Sequence, residues 1–182
     1  MDNFNFYSPT EFVFGKDREN EAGKYIKKFG GSRVLVHFDS GSAVSSGLLD
    51  KVKKSLESEG IFYTELGGVK PNPRDTLVYE GIEICHRDNI DFILSVGGGL
   101  CIDSAKAIAI GACYEGNFWD FYTDKAEIRA CLPVGTVLTI AAAGSEGSGA
   151  SLITQENTRL KRDAGSDLMR PKFSILNPLL GC

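Results

Sequence analysis

The stretch FILSVGGGLCIDSAKAIA, residues 92–109, decides the reading. Phe92 to Val96 form a short, mostly apolar run of the kind a strand buried on both faces requires. Gly97, Gly98 and Gly99 follow at once, and a segment of small and apolar residues suited to a buried helix comes next. Glycines at a strand-to-helix junction let backbone N–H groups approach an anion closely, and the helix N-terminus adds partial positive charge. That combination suits a pyrophosphate. It is not the G-x-G-x-x-G fingerprint, because the glycines are consecutive and lead into Leu100 and Cys101. A tight turn would also use glycines there.

The same rhythm extends in both directions. RVLVHF (33–38) reads as a buried strand, and a loop holding Asp39, Ser40, Gly41 and Ser42 follows it. The segment LLDKVKKSLESEG is an amphipathic helix with Leu48, Leu49, Val52 and Leu56 on one face, closed by Gly60 where a left-handed cap is wanted. A second strand is expected near 61–66, then irregular chain through GGVKPNP (67–73), then an amphipathic stretch over 74–88. Beyond the triple glycine, a loop with Trp119 leads to a fourth strand, PVGTVLTI (133–140). Strand, loop and helix recurring at about 30-residue spacing predict a Rossmann-like α/β fold with a parallel sheet covered on both faces. Right-handed crossovers gather the loops after the strands on one edge, where such sheets bind ligands. ASLITQ, LKRDAGS and KFSILNP read as short antiparallel strands or a ribbon at the sheet edge. Residues 1–182 are taken as one domain.

Composition bounds the function. With 42% hydrophobic and 24% charged residues, the chain has the make-up of a globular domain. A net charge of -4 leaves no basic excess to neutralise nucleic-acid phosphates. The cysteines at 85, 101, 113, 131 and 182 make no C-x-x-C pair, and His37 and His86 are the only histidines. Metal-ligand spacing is therefore missing, and reduced thiols in a cytoplasmic protein are expected. No basic segment followed by an apolar one opens the chain, and no apolar run has the roughly 20 residues a membrane span needs.

A few residues invite chemistry. Asp103, in the first turn after the glycines, either compensates the helix dipole or accepts hydrogen bonds from cofactor hydroxyl or amide groups. Lys106, three residues on, is expected to pair with Asp103. Asp39 stands where dinucleotide sites place an acid on the adenosine ribose, although a turn-forming aspartate before Ser-Gly has the same sequence. The small-residue run TIAAAGSEGSGA (139–150) permits close approach of a ligand or another segment, with Ser145 and Glu146 placed to open a helix.

Taken in order, these stretches resemble the iron-containing alcohol dehydrogenase family, in particular its butanol-dehydrogenase-like branch. FNFYSPTEFVFGK is similar to the family's N-terminal strand, GGVKPNP to a loop over the cofactor, and SVGGGLCIDSAKAIA to the motif G-G-G-S-x-x-D-x-A-K. PVGTVLTIAAAGSE resembles the next strand and loop, and KFSILNPLL the segment leading to a second domain. The resemblance implies a dehydroquinate-synthase-like N-terminal domain in which Gly97, Gly98 and Gly99 hold the pyrophosphate. It places Asp103 near the ribose and nicotinamide, Thr139 on the adenosine side and Lys161 close to the cofactor. Asp39 implies NAD, with NADP as the other option. Three positions depart from the family: Leu100 replaces a serine, and Ala141 and Ala143 replace a proline and a threonine.

By the same resemblance, the reaction is alcohol–aldehyde interconversion on small molecules. The Fe²⁺ or Zn²⁺ ligands lie in a second, helical domain and have no counterpart here, so this chain is expected to be the truncated cofactor-binding half, with no catalytic residue assigned. An uncovered apolar face would favour a homodimer or other association. The alternatives are a degenerate, non-catalytic dinucleotide-binding or structural module, and a sugar-phosphate-binding domain.

Overall fold

The computed structural model describes residues 3–5 and 7–180; Phe6 of the opening stretch and Cys182 lie outside them. Six strands form one parallel sheet: β1 (Glu11–Phe14), β2 (Arg33–Asp39), β3 (Phe62–Val69), β4 (Phe92–Gly97), β5 (Val134–Leu138) and β8 (Phe173–Leu176), in the order β1-β8-β5-β4-β2-β3. The strands β6 (Ala150–Thr154) and β7 (Lys161–Gly165) pair antiparallel with each other, outside that sheet.

Alternation along the strands divides the core in two. Val34, Val36, Leu94 and Val96 pack with Ile26, Val52 and Leu56, which come from α1 (Ala22–Lys28) and α3 (Leu48–Ser58), and with Ala43 of the short α2 (Ser42–Ser45). Leu35 and Ile93 point the other way, into a cluster with Val78, Cys85 and Ile108 from α4 (Asp75–Arg87) and α5 (Gly99–Gly111). The expected helix end at Gly60 has φ +67°, and the amides of Gly60 and Ile61 bond back to Glu57 and Leu56. Helices α4 and α5 touch through reciprocal glycines. A Cβ on Gly81 would meet Ile108 Cδ1 at 2.4 Å, and one on Gly111 would meet Ile82 Cδ1 at 2.3 Å. Apart from Asp103 and its first two residues, α5 is buried.

Four local readings change. β3 does not stop before GGVKPNP but continues through Gly67 and Gly68 to Val69. His37 pairs Leu66 and Asp39 pairs Val69, so two residues face one across a bulge that Gly68, at φ +95°, absorbs. β8 is no antiparallel edge ribbon: it lies between β1 and β5, parallel to both. Its alternation misled because Ser174 is buried as fully as Phe173 and Ile175. Ser145 and Glu146 open no helix; Gly147 closes a turn on Gly144 instead. The Trp119 segment forms a 3-10 helix, Phe118–Thr123, packed in the core.

Candidate functional site

β2, β4 and β5 end side by side, so the three chain segments leaving them converge at the C-terminal edge of the sheet. There a cavity of about 300 Å³ is bordered by Asp39, Gly98, Gly99, Leu100, Thr139 and Ile140, with Pro71 reaching over from the end of β3. Four of the seven expected cofactor residues therefore meet around one space.

The glycines are not equivalent. Gly97 is closed in, since a Cβ there would come within 2.6 Å of Asp39 Oδ2 and 2.9 Å of Cys101 Cβ. A Cβ on Gly98 would meet nothing within 4 Å. Gly98 precedes α5, and no side chain caps that helix. The first amides of a helix lack intrahelical acceptors, and Gly99 and Leu100, which carry two of them, border the cavity. Thr139 is buried, its amide bonds Gly97 O at 3.0 Å, and its Oγ1 has no hydrogen-bond partner. It also borders a second cavity of about 410 Å³ with Phe14, Glu146 and Asn177. A buried hydroxyl left unpaired costs roughly 1–3 kcal/mol and is rare unless something outside the chain completes it. An uncapped helix start, an open glycine and a threonine whose hydroxyl has no partner border one cavity, a set that fits the phosphate and hydroxyl groups of a dinucleotide.

Asp39 Oδ1 accepts from the amides of Gly41 and Ala43, which holds its carboxylate on the rim. Cys101 also borders the cavity, but burial pushes its thiol up to about 12, which keeps it a packed, protonated group. Leu100 is 40% exposed at the mouth and offers no hydroxyl.

Asp103 and Lys161 lie apart from this space. Asp103 Oδ1 accepts from Ser145 Oγ at 2.6 Å and Oδ2 from the Leu152 amide at 3.3 Å; burial raises its pKa, against the opposing pull of the Ser145 bond. Lys161, at the start of β7, borders a neighbouring cavity of about 550 Å³ with Arg74 and Glu156 (themselves an ion pair), Arg159 and Pro71. Pro71 is common to the two cavities.

Two residues matter more than their sequence suggested. Lys106 makes no exposed pair with Asp103. It is fully buried, and its ammonium donates to the carbonyls of Ser145 (2.7 Å), Ser148 (2.8 Å) and Ala150 (3.0 Å). Burial lowers its pKa to about 8, with Asp103 and Glu146 opposing that shift. His37 is also fully buried: Nδ1 lies 2.8 Å from Leu66 O and Nε2 2.8 Å from Ser104 Oγ. A carbonyl can only accept, so Nδ1 carries the proton and Nε2 accepts from Ser104. Burial pulls this imidazole down to about 4. A polar residue on a strand buried on both faces was the available signal.

Among the described residues, no group of three or more His, Cys, Asp or Glu side chains could hold a metal ion. Among the same residues, no helix is long and apolar enough to cross a membrane.

Residues 9–178 match the sequence profile described as iron-containing alcohol dehydrogenase. A probable NADH-dependent butanol dehydrogenase of Bacillus subtilis is 46% identical over 98% of this chain, which covers 46% of that protein. An NADPH-dependent aldehyde reductase of Escherichia coli is 34% identical over 98% of this chain, again covering 46% of the relative. The crystal structure of an NADH-dependent butanol dehydrogenase A from Thermotoga maritima superposes with a TM-score of 0.97 at 41% identity, over 100% of this chain and 46% of that one. The chain thus spans about half the length of the curated relatives it matches. Since the match runs through every element that shapes the cleft, the chain belongs to the iron-containing alcohol dehydrogenase family.

Proposed function

We propose that residues 1–182 form one nucleotide-binding domain of an NAD(P)-dependent oxidoreductase that interconverts small alcohols and aldehydes. The uncapped start of α5, beside the unpaired Thr139 hydroxyl, carries this reading. Gly98 and Gly99 would take the pyrophosphate on main-chain amides, with Gly97 shaping the turn beneath them. Thr139 would donate its free hydroxyl, and Asp39 would accept from ribose hydroxyls. Asp103 would sit near the ribose and the nicotinamide, whose ring, when bound, supplies or accepts a hydride, and Lys161 would approach the cofactor. An acid at position 39 repels a 2′-phosphate, which favours NAD over NADP. The names of the B. subtilis and T. maritima relatives support that choice. The described residues do not suit a metal, and none of these roles depends on one.

A degenerate module is the second reading. Leu100, Ala141 and Ala143 favour it, the first and last because each stands where the family carries a hydroxyl. Each contact so lost would cost on the order of 1 kcal/mol of affinity. Fluorescence titration with NADH and NADPH separates the two. NADH binding tighter than NADPH is the expected outcome, and no binding of either at millimolar concentration would leave the degenerate module standing.

A further inference from the structure

Gly99, Asp103 and Lys106 stand at i, i+4 and i+7 of α5 and so share one face of the helix. The chain leaving β5 runs down that face. Beside Gly99 lie Ala143 and Ser145, whose Cβ atoms a glycine Cβ would meet at 3.2 and 3.8 Å. Beside Asp103 lie Ser145 and the amide of Leu152. Beside Lys106 lie the carbonyls of Ser145, Ser148 and Ala150. One ammonium with three protons thus meets three carbonyls from a segment otherwise made of bends and turns.

We propose that Lys106 is a positioning residue of the nucleotide site: it pins residues 143–150 along α5, and so fixes the wall beside Gly99 before any ligand arrives. The proposal rests on the dinucleotide reading above. A buried ammonium is tolerated only where its protons are matched, so charge and loop conformation enforce one another. The charged groups facing it are Asp103 on its own helix, Glu146 in the pinned segment and Arg170 beyond β7. Ser174 holds the same segment from the sheet side, donating to Glu146 O at 2.6 Å, so the wall is tied at both flanks. A side chain that merely filled space would need no such set of acceptors.

The test compares Lys106→Met with Ile108→Val, a packing change at a fully buried position of the same helix. Lys106→Met should weaken NADH binding about tenfold and speed amide exchange at Gly147. Ile108→Val should lower the unfolding midpoint and leave NADH affinity unchanged. Wild-type affinity in Lys106→Met, or an equal loss in Ile108→Val, overturns the proposal. If wild-type chain binds no NADH, the dinucleotide reading itself has failed, which is a separate result. Should Lys106→Met not fold, amine acylation of the ligand-free wild type decides. Lys106 should stay unmodified while the exposed Lys24 and Lys54 react, and acylation at their rate overturns the pin.

Discussion

At the first turn of α5, the amides of Gly99 and Leu100 meet no capping side chain, and Thr139 beside them keeps an unpaired hydroxyl. One and two turns on, the polar side chains of the same helix are all engaged: Ser104 with His37, Asp103 with Ser145 and Leu152, and Lys106 with three carbonyls. Both regions touch the same strands and belong to the same helix. The difference is what completes them. The deep polar side chains of α5 are satisfied by the chain as it folds, whereas the first amides of that helix have no capping side chain. A helix that is nearly all buried yet uncapped at one end is a core element whose first turn, in the proposed function, is the binding element.

The strongest way to break this comparison is to charge its closed end. His37 has an unfolded value near 6.5 and a folded value near 4, so the unfolded chain binds the proton first. Its contribution to stability is full above pH 6.5 and is lost as pH falls towards 4, by roughly 3 kcal/mol at about 1.4 kcal/mol per unit. Urea midpoints measured across that range should show the slope, and His37→Gln should flatten it. A wild-type chain equally stable at pH 7 and pH 4.5 would show that the imidazole is not held neutral.

Filling the open end should act on binding alone. A side chain at Gly98 projects into free space, so Gly98→Val should leave the unfolding free energy within about 1 kcal/mol of wild type and weaken NADH about a hundredfold. A comparable loss of stability would mean that the mouth is core after all. Thr139→Val separates the regions more finely. It removes a buried hydroxyl without a partner, so stability should hold or rise by about 1 kcal/mol while NADH affinity falls about fivefold. Leu100→Ser should have the smallest effect, tightening NADH by a few-fold through one added hydroxyl at the mouth. Unchanged affinity on titration would place that side chain outside the contact surface.

Much of this was legible in the order of residues. A buried run, three glycines and a small-residue helix announce a strand, a tight turn and a helix start, because those steric demands are local. The helix closed by Gly60 and the positions of Asp39 and Gly98 at one sheet edge follow from the same logic. Direction and partnership were less legible. KFSILNP reads the same whether its neighbours run with it or against it, and only its place between β1 and β5 makes it parallel. The glycines of GGVKPNP read as a break and prove to be a bulge, because Phe38 packs where a side chain on Gly67 would stand.

What the sequence determined by itself was most of the sheet strands, the helices that follow β2, β3 and β4 with their buried faces, and the triple-glycine turn, since backbone sterics and hydrophobic period act within a few residues; α1 and the 3-10 helix at Trp119 went unread. What tertiary structure alone decided was the fate of the polar groups. Lys106 reads as a surface partner for Asp103 until the chain 39–44 residues further on supplies carbonyls that match its protons. His37 reads only as a polar residue within a buried strand until Leu66 and Ser104 meet its two nitrogens. A hydrogen bond depends on where its partner lies in space, and no local pattern carries that information.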